Sequence, residues 1–231
     1  MPRLLLGLLL APWTVAHGQV IGGAVGDGPA PAPYSISWEF DFRYMDLRRL
    51  DIQVGGRTEA YWYMPYTVIN TSPDTQRFFP RFEIVTATLH VAPADVGIPR
   101  AVYDAIRERH RVTHKYFTHP TKAIGPLRSG ADNAIESVAV WRAADLQVNK
   151  FTLYVAGLSG EARLVRNPAY DPDAPQTKTV AGPAGRQREI LLNPRTFTLR
   201  KTLAISYTLA GSPAARGRAE PQPNQVSWIM R

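Results

Sequence analysis

Strict alternation of apolar and polar residues is the feature that most constrains the fold of this chain. Over residues 35–44 every even position is apolar and every odd position is polar. Because successive side chains of a β-strand point to opposite faces of the sheet, this pattern predicts a strand with one face in a core. The same alternation recurs over residues 50–54 and 196–208.

Further strand patterns are separated by turn residues and by one helical pattern. Apolar or alternating runs predict additional strands at residues 59–69, 78–89, 135–142, 150–158 and 188–192. Pro99 followed by Val102 and Ile106 on one stripe predicts a helix ending near Arg109. Residues 113–133 and 167–185 are rich in Pro and Gly and are expected to be loops. This arrangement is typical of an antiparallel β-sandwich with one short helix.

Two residues interrupt the strand patterns. Pro65 has no N–H for a sheet ladder, so a bulge or a local edge is expected there. Lys201 occupies an inward position of an otherwise apolar row, which predicts a strand end or an edge.

The chain contains no cysteine, which excludes several classes of protein. Disulfide-stapled folds, zinc ribbons, iron–sulfur proteins and cysteine nucleophiles all need thiols. With 231 residues and 45% hydrophobic content, the chain is long and apolar enough to be held by a hydrophobic core alone.

The chain divides into four predicted parts. Residues 1–18 have a basic start, a short apolar run and small residues before Gln19, which predicts a secretory signal peptide. The apolar run is too short to span a bilayer. Residues 19–33 are a Pro/Gly/Ala-rich linker, residues 34–209 the β-sandwich domain, and residues 210–231 a Pro/Arg-rich C-terminal tail. The mature protein is expected to be soluble, without a transmembrane segment, and periplasmic or extracellular.

Three segments carry a resemblance. Residues 61–71, 137–141 and 151–159 are similar to segments of uncharacterised exported bacterial proteins with an immunoglobulin-like β-sandwich domain. In those proteins a Tyr-x-Val-x-Asn-Thr strand packs against Gly-x-Ala-Val-Phe/Trp and Phe-x-x-x-Val-x-Gly-Leu-Ser strands. This chain has Ser137 where a Gly is usual. The resemblance spans most of residues 34–208 and implies the fold and an exported location, but no functional residue.

Positive charge is concentrated in one segment. Loss of residues 1–18 would remove Arg3 and no acidic residue, lowering the formal net charge from +8 to +7. Seven bases against Asp104 and Glu108 give residues 100–128 a net charge of +5. These candidate partner-binding residues are Arg100, Arg107, Arg109, Arg111, Lys115, Lys122 and Arg128. Such a segment is either a surface for an anionic or acidic partner or a solvated helix face.

Three histidines lie inside the basic segment. His110 and His114 would share a face if the helix continued, and with His119 they offer imidazole ligands for a metal. The neighbouring bases would repel a cation, so a solvated basic loop is the favoured interpretation.

Patterns for catalysis are incomplete. The turn at Ser159 lacks the final Gly of a nucleophile elbow, and Glu39 and Asp41 lie on a polar strand face that is expected to be solvated. Five aromatic residues could stack on sugar rings, although strand aromatics more often pack in a core. They are Trp38, Tyr61, Trp62, Tyr63 and Tyr66.

These observations favour a non-catalytic structural or protein-interaction module of the cell envelope. The expected partner is another envelope or secreted protein, with no cofactor and no nucleic acid. The alternative is a binding module for an anionic polysaccharide or envelope surface, and a hydrolase is the least favoured class.

Overall fold

Two antiparallel sheets contain most of the strands. The computed structural model describes residues 38–143, 148–182, 186–216 and 218–231. The first sheet consists of β1 (Phe40–Tyr44), β2 (Arg48–Val54), β3 (Arg57–Asn70) and β8 (Ile135–Arg142). The second consists of β5 (Arg81–Thr86), β6 (Val91–Pro93), β9 (Lys150–Ala156), β10 (Ala162–Arg166), β13 (Thr196–Thr208) and β14 (Gln222–Met230). The predicted mainly β, antiparallel architecture is therefore confirmed.

Shorter elements lie between the strands of the two sheets. Strand β4 (Gln76–Phe78) pairs with β7 (Gly125–Leu127), and β11 (Thr177–Ala181) forms a hairpin with β12 (Gln187–Leu191). The helices of the described residues are α1 (Arg100–Arg109), α2 (Pro120–Ala123) and α3 (Pro213–Arg216), with a 3₁₀ turn at Ala131–Asn133. The predicted helix is thus α1, and its boundaries agree with the sequence pattern.

Strand β3 is 14 residues long and lies in the middle of the first sheet. One edge of β3 pairs with β8, whereas the other pairs first with β2, as far as Tyr63, and then with β1, from Tyr66. Pro65 lies at this changeover, and its carbonyl accepts a hydrogen bond from the Met45 N–H at 2.9 Å. The missing N–H therefore falls where neither β1 nor β2 pairs with β3, which confirms the local edge predicted at Pro65.

The inner faces of the two sheets share one hydrophobic core. Trp62 of β3 stacks on Phe151 of β9, which stacks on Tyr207 of β13, with ring centroids 5.3 and 5.4 Å apart. The alternating residues of the second sheet that the sequence places inward are almost fully buried. They are Phe151, Leu153, Val155, Leu203, Ile205 and Tyr207. Burial of these large side chains on both inner faces is what holds the two sheets together.

Helix α1 covers the outer face of the first sheet. Val102 and Ile106 are fully buried in a second apolar cluster that includes Tyr61, Tyr63 and Val140. Strands β3 and β8 are consequently apolar on both faces, because one face packs on the second sheet and the other on the helix.

The C-terminal region differs from the tail predicted at residues 210–231. Strand β14 pairs antiparallel with β13 from Lys201 to Thr208, and Val226 and Trp228 pack against the core. In the described residues β14 pairs with β13 alone, and an edge strand tolerates Pro223 because one side needs no hydrogen-bond donor. The β domain therefore extends to Met230 instead of ending at residue 209.

Two predicted loops and one predicted strand also differ from the structure. The 167–185 region contains β11, and the 113–133 region contains α2, β7 and the 3₁₀ turn. Pro80 divides the strand predicted at residues 78–89 into β4 and β5. The elements within the two predicted loops are short, so they leave too few residues for an apolar periodicity in the sequence.

The prediction of a strand end at Lys201 is wrong, although one edge of β13 does change partners there, from β10 as far as Arg200 to β9 from Leu203. Lys201 lies inside β13, and only 12% of its side chain is exposed. Its ammonium is 2.7 Å from Glu39 Oε2 and 3.6 Å from Glu161 Oε2. Two carboxylates from distant parts of the chain thus allow a lysine to occupy an inward position.

The predictions for the N-terminal region and for the turn around Asp145 lie outside the described residues. These N-terminal predictions are the signal peptide at residues 1–18 and the linker at residues 19–33. Among the described helices, none has the length and apolar character needed to cross a membrane.

Candidate functional site

Helix α1 places the predicted basic segment on the outer face of the first sheet. The helix is fixed by its buried apolar stripe and by Arg109, whose Nη1 donates to the carbonyl oxygen of Arg49 at 3.0 Å. The Arg109 guanidinium also lies 6.0 Å from the centre of the Tyr63 ring. Arg109 therefore attaches the helix to the sheet.

The chain turns at the end of α1 through two buried histidines. His110 Nε2 lies 3.1 Å from the Tyr63 hydroxyl, and the His110 and His114 rings meet edge to face at 5.6 Å. Burial, together with His114 and nearby arginines, lowers the pKa of His110 to about 4. Burial also lowers the pKa of His114. Both side chains are therefore neutral near pH 7 and act as anchors of the loop that follows.

The three histidines have different local partners. His114 Nδ1 lies 3.0 Å from the Thr113 hydroxyl, whereas His119 Nδ1 accepts a hydrogen bond from the Thr121 N–H and caps α2. The His119 ring also packs on Tyr103 at 4.3 Å. Within the part of the chain that the structure describes, no group of three or more His, Cys, Asp or Glu residues is placed to hold a metal ion.

Three of the seven predicted bases form ion pairs within or just after α1. Arg100 and Arg107 both contact Asp104, at 3.6 and 3.0 Å, and Arg111 contacts Glu108 at 3.0 Å. The participating side chains are largely exposed to solvent, so these pairs are weak. They nevertheless reduce the charge that the helix face offers to a partner.

The remaining bases lie along the chain after the helix. Lys115, Lys122 and Arg128 are exposed, and no carboxylate of the described residues lies within ion-pair distance of them. Lys115 Nζ lies 5.5 Å from the centre of the Tyr116 ring. Positive charge without an ion pair therefore lies on the chain that follows α1, whereas the charge of α1 itself is partly balanced by Asp104 and Glu108.

The histidine loop, residues 110–119, exposes two large apolar side chains. Val112 is 85% exposed and Tyr116 is 72% exposed. The backbone beneath them is fixed, because the N–H groups of Tyr116 and Thr118 donate to Glu136 at 2.9 and 2.7 Å. We define the loop tip as Arg111, Val112, Lys115 and Tyr116. An ordered loop thus presents apolar and basic side chains together.

The residues considered for catalysis each have structural partners. Ser159 is buried, and its Oγ donates to the Trp38 carbonyl at 3.3 Å and accepts from the Glu161 N–H at 3.1 Å. Glu39 pairs with Lys201, and Asp41 pairs with Arg43 at 2.6 Å. The two carboxylates therefore serve different ion pairs.

The aromatic residues separate into core and surface groups. Four of the five belong to the buried clusters, namely Tyr61, Trp62, Tyr63 and Tyr66. Trp38 instead lines a cleft that also contains arginines missing from the predicted set: Arg77, Arg81, Arg200 and Arg231. In the sequence, three of these arginines each precede an inward-facing strand residue and the fourth follows a strand. This pattern does not reveal that the four side chains converge.

No protein-family model, no curated protein and no solved structure matches this chain. The similarity to exported immunoglobulin-like proteins is therefore still a prediction from the sequence.

Proposed function

We propose that this chain is a non-catalytic, exported protein-interaction module on an immunoglobulin-like sandwich, with the loop tip as its docking surface. The observation that carries the proposal is the pair of exposed apolar side chains, Val112 and Tyr116, on an anchored loop. The partner is a protein with an apolar pocket surrounded by acidic residues.

The composition of the loop tip supports docking. Tyrosine and arginine are enriched among the residues that dominate binding energy, because they combine a large contact area with polar groups. Val112 supplies a further apolar contact next to them. Large apolar side chains that are this exposed have no role in the core of their own domain.

The anchoring of the loop supports docking as well. His110 and His114 are buried at its start, and Glu136 holds its middle. A loop that is already ordered loses little conformational entropy on binding, so more of the contact energy remains as affinity.

Charge determines the kind of partner. Arg111 and Lys115 flank the exposed apolar pair, with Lys122 further along the chain. Basic residues around an apolar contact favour an acidic partner surface, mainly by speeding association at low salt.

Cross-linking in the native envelope, followed by mass mapping, tests the proposal. The wild-type chain should give a discrete protein cross-link within residues 100–128. The variant V112S/Y116S should lose that cross-link, and R111E/K115E should lose it at physiological salt. Both variants change exposed side chains, so their melting temperatures should match the wild type.

Matched variants elsewhere provide the control. Leu89 is 81% exposed, and Lys178 and Arg188 are exposed on the β11–β12 hairpin. The variants L89S and K178E/R188E should retain the cross-link. A chain that behaves as a monomer without cross-links, or a cross-link unaffected by V112S/Y116S, would overturn the proposal.

The alternative of a polysaccharide-binding or envelope-binding basic face is less favoured by the geometry. Arg100 and Arg107 contact Asp104 of α1, and Arg109 is committed to Arg49. If the alternative holds, R107E/R111E abolishes retention on a sulfated polymer while V112S/Y116S does not.

A further inference from the structure

An arginine-lined cleft lies on the second sheet and shares no lining residue with the histidine loop. Its volume is about 650 Å³, within the range of about 300–1,000 Å³ that small-ligand sites occupy. Four arginines and two aromatic residues line it: Arg77, Arg81, Arg200, Arg231, Trp38 and Phe79. We call it the arginine cleft.

Strand alternation and pairing bring the arginines together. Arg81 precedes the buried Phe82 and Arg200 precedes the inward Lys201, so both point away from the core. Arg231 follows β14, and its backbone exchanges hydrogen bonds of 2.7 and 3.1 Å with that of Arg200. Residues that are far apart in the sequence are thereby placed on one wall.

The arginine cleft has more positive than negative charge. Glu83 contacts both Arg81, at 2.8 Å, and Arg231, at 2.9 Å. Arg77 and Arg200 are exposed, and neither lies within ion-pair distance of a carboxylate of the described residues. Two guanidinium groups are thus available for an anion, and two more are held in place by Glu83.

Gly157 allows the wall that carries Phe79 to approach β9. Gly157 has φ = +85°, and a Cβ atom built on it would lie 2.4 Å from the Phe79 carbonyl oxygen. The close approach presents the Phe79 ring, which is 55% exposed, at the mouth of the cleft. Trp38, whose ring lies 4.8 Å from that of Phe40, forms another part of the wall.

We propose that the arginine cleft binds a carboxylated oligosaccharide, with its carboxylates on the arginines and a sugar ring against Phe79 and Trp38. The planar guanidinium fork matches a carboxylate in two parallel hydrogen bonds. The electron-rich face of an aromatic ring packs against the C–H groups of a pyranose. This ligand site goes beyond the docking surface of the proposed function and does not depend on it.

An acidic peptide fits the arginine cleft less well. Strand addition, a common mode of peptide recognition, uses main-chain hydrogen bonds at the free edge of a sheet. Along the arginine cleft the backbone groups are already paired: β5 pairs with β9 at Arg81, and β13 pairs with β10 and with Arg231 at Arg200. It therefore offers side chains rather than main-chain groups.

Calorimetric titration with a short oligogalacturonate tests this site. The wild-type chain should bind it, and binding should weaken as salt is raised because the contact is ionic. The fully methyl-esterified oligosaccharide, which lacks the charge, should not bind. The variant R77Q/R200Q should weaken binding by about tenfold or more, because charged hydrogen bonds are lost.

Controls separate the contributions. The variant R186Q/R188Q removes two exposed arginines of the β11–β12 hairpin and should bind like the wild type. The variant F79A should weaken binding of the oligosaccharide by about three- to tenfold. An aromatic contact contributes about 1 kcal/mol in addition to the effect of the area that it buries. The loop-tip variant V112S/Y116S should leave titration unchanged, so this proposal and the proposed function fail separately.

Three results would overturn the inference. They are no binding of oligogalacturonate, binding that R77Q/R200Q does not weaken, and an oligoglutamate peptide binding equally well without any effect of F79A. The last result would identify an acidic-peptide site instead.

Discussion

Lys201 provides the sharpest test of how the two sheets are held together. Replacing Lys201 with Met removes the ammonium that lies between Glu39 and Glu161. The Glu161 side chain is only 2% exposed, and its Oε1 has no hydrogen-bond partner among the described residues. A buried carboxylate left without its cation costs about 3–5 kcal/mol, so K201M should lower the free energy of unfolding by about 3 kcal/mol.

Urea unfolding of a double-mutant cycle measures this coupling. In K201M/E161Q the amide needs no counter-charge, so the loss should fall to about 1 kcal/mol. The control is R43M, which breaks an ion pair whose arginine is 65% exposed and should cost less than about 1 kcal/mol. If K201M is as mild as R43M, or if E161Q does not rescue it, the buried charge is not what makes Lys201 essential.

Three further predictions concern the loops and the helix. G157A should lower the free energy of unfolding, measured in urea, by about 2–4 kcal/mol, because the new Cβ meets the Phe79 backbone. The control G56A, at a similar φ of +82° but with open space around it, should lower it by only about 1 kcal/mol. I106A should lower the free energy of unfolding by about 2–5 kcal/mol, because the Ile106 side chain of α1 is fully buried against the first sheet. Unchanged stability in the same measurement would mean that the helix does not pack on the sheet. The folded-state pKa of His110, about 4, lies below its ordinary value of 6.5, so the unfolded chain gains a proton first as the pH falls. The melting temperature should therefore drop between about pH 6.5 and 4, and H110Q should show a smaller drop. An equal drop in both proteins would contradict the assignment of His110 as a buried neutral group.

The strands were predictable where one face enters the core. Alternation located β1, β2, β9 and β13, because burial of every second residue is imposed locally by the pleat of the strand. Pro65 was also interpretable, since a missing N–H has to fall at a gap in the ladder. The burial of Lys201 was not predictable, because the two carboxylates that it contacts come from parts of the chain that only folding brings together.

Strand β14 was missed for a related reason. Pro223 and the polar residues around it suggest a tail, and only pairing with β13 makes this segment a strand. An edge strand is determined by its neighbour more than by its own sequence.

The candidate sites were predictable to different degrees. The basic segment is continuous in the sequence, so its charge could be counted, but its ion pairs with Asp104 and the anchoring role of His110 depend on the helix boundary and on burial. The arginine cleft is assembled from β4, β5, β13 and the residue after β14. Arg77 and Arg200 have no sequence signal in common, so their convergence is a property of the sheet register alone.

The sharing of β3 among three strands has a consequence for the order of folding. β2 and β3 are joined by Gly55 and Gly56, so this hairpin forms with little loss of loop entropy. β8 pairs with the opposite edge of β3 only after the intervening chain, including α1, has been brought back. Such non-local pairing slows folding, so the unpaired edge of β3 is exposed during the interval. Pro65 interrupts the hydrogen-bond donors only on the edge of β3 that pairs with β1 and β2. Until β8 pairs with the other edge, that edge is open to pairing with another chain.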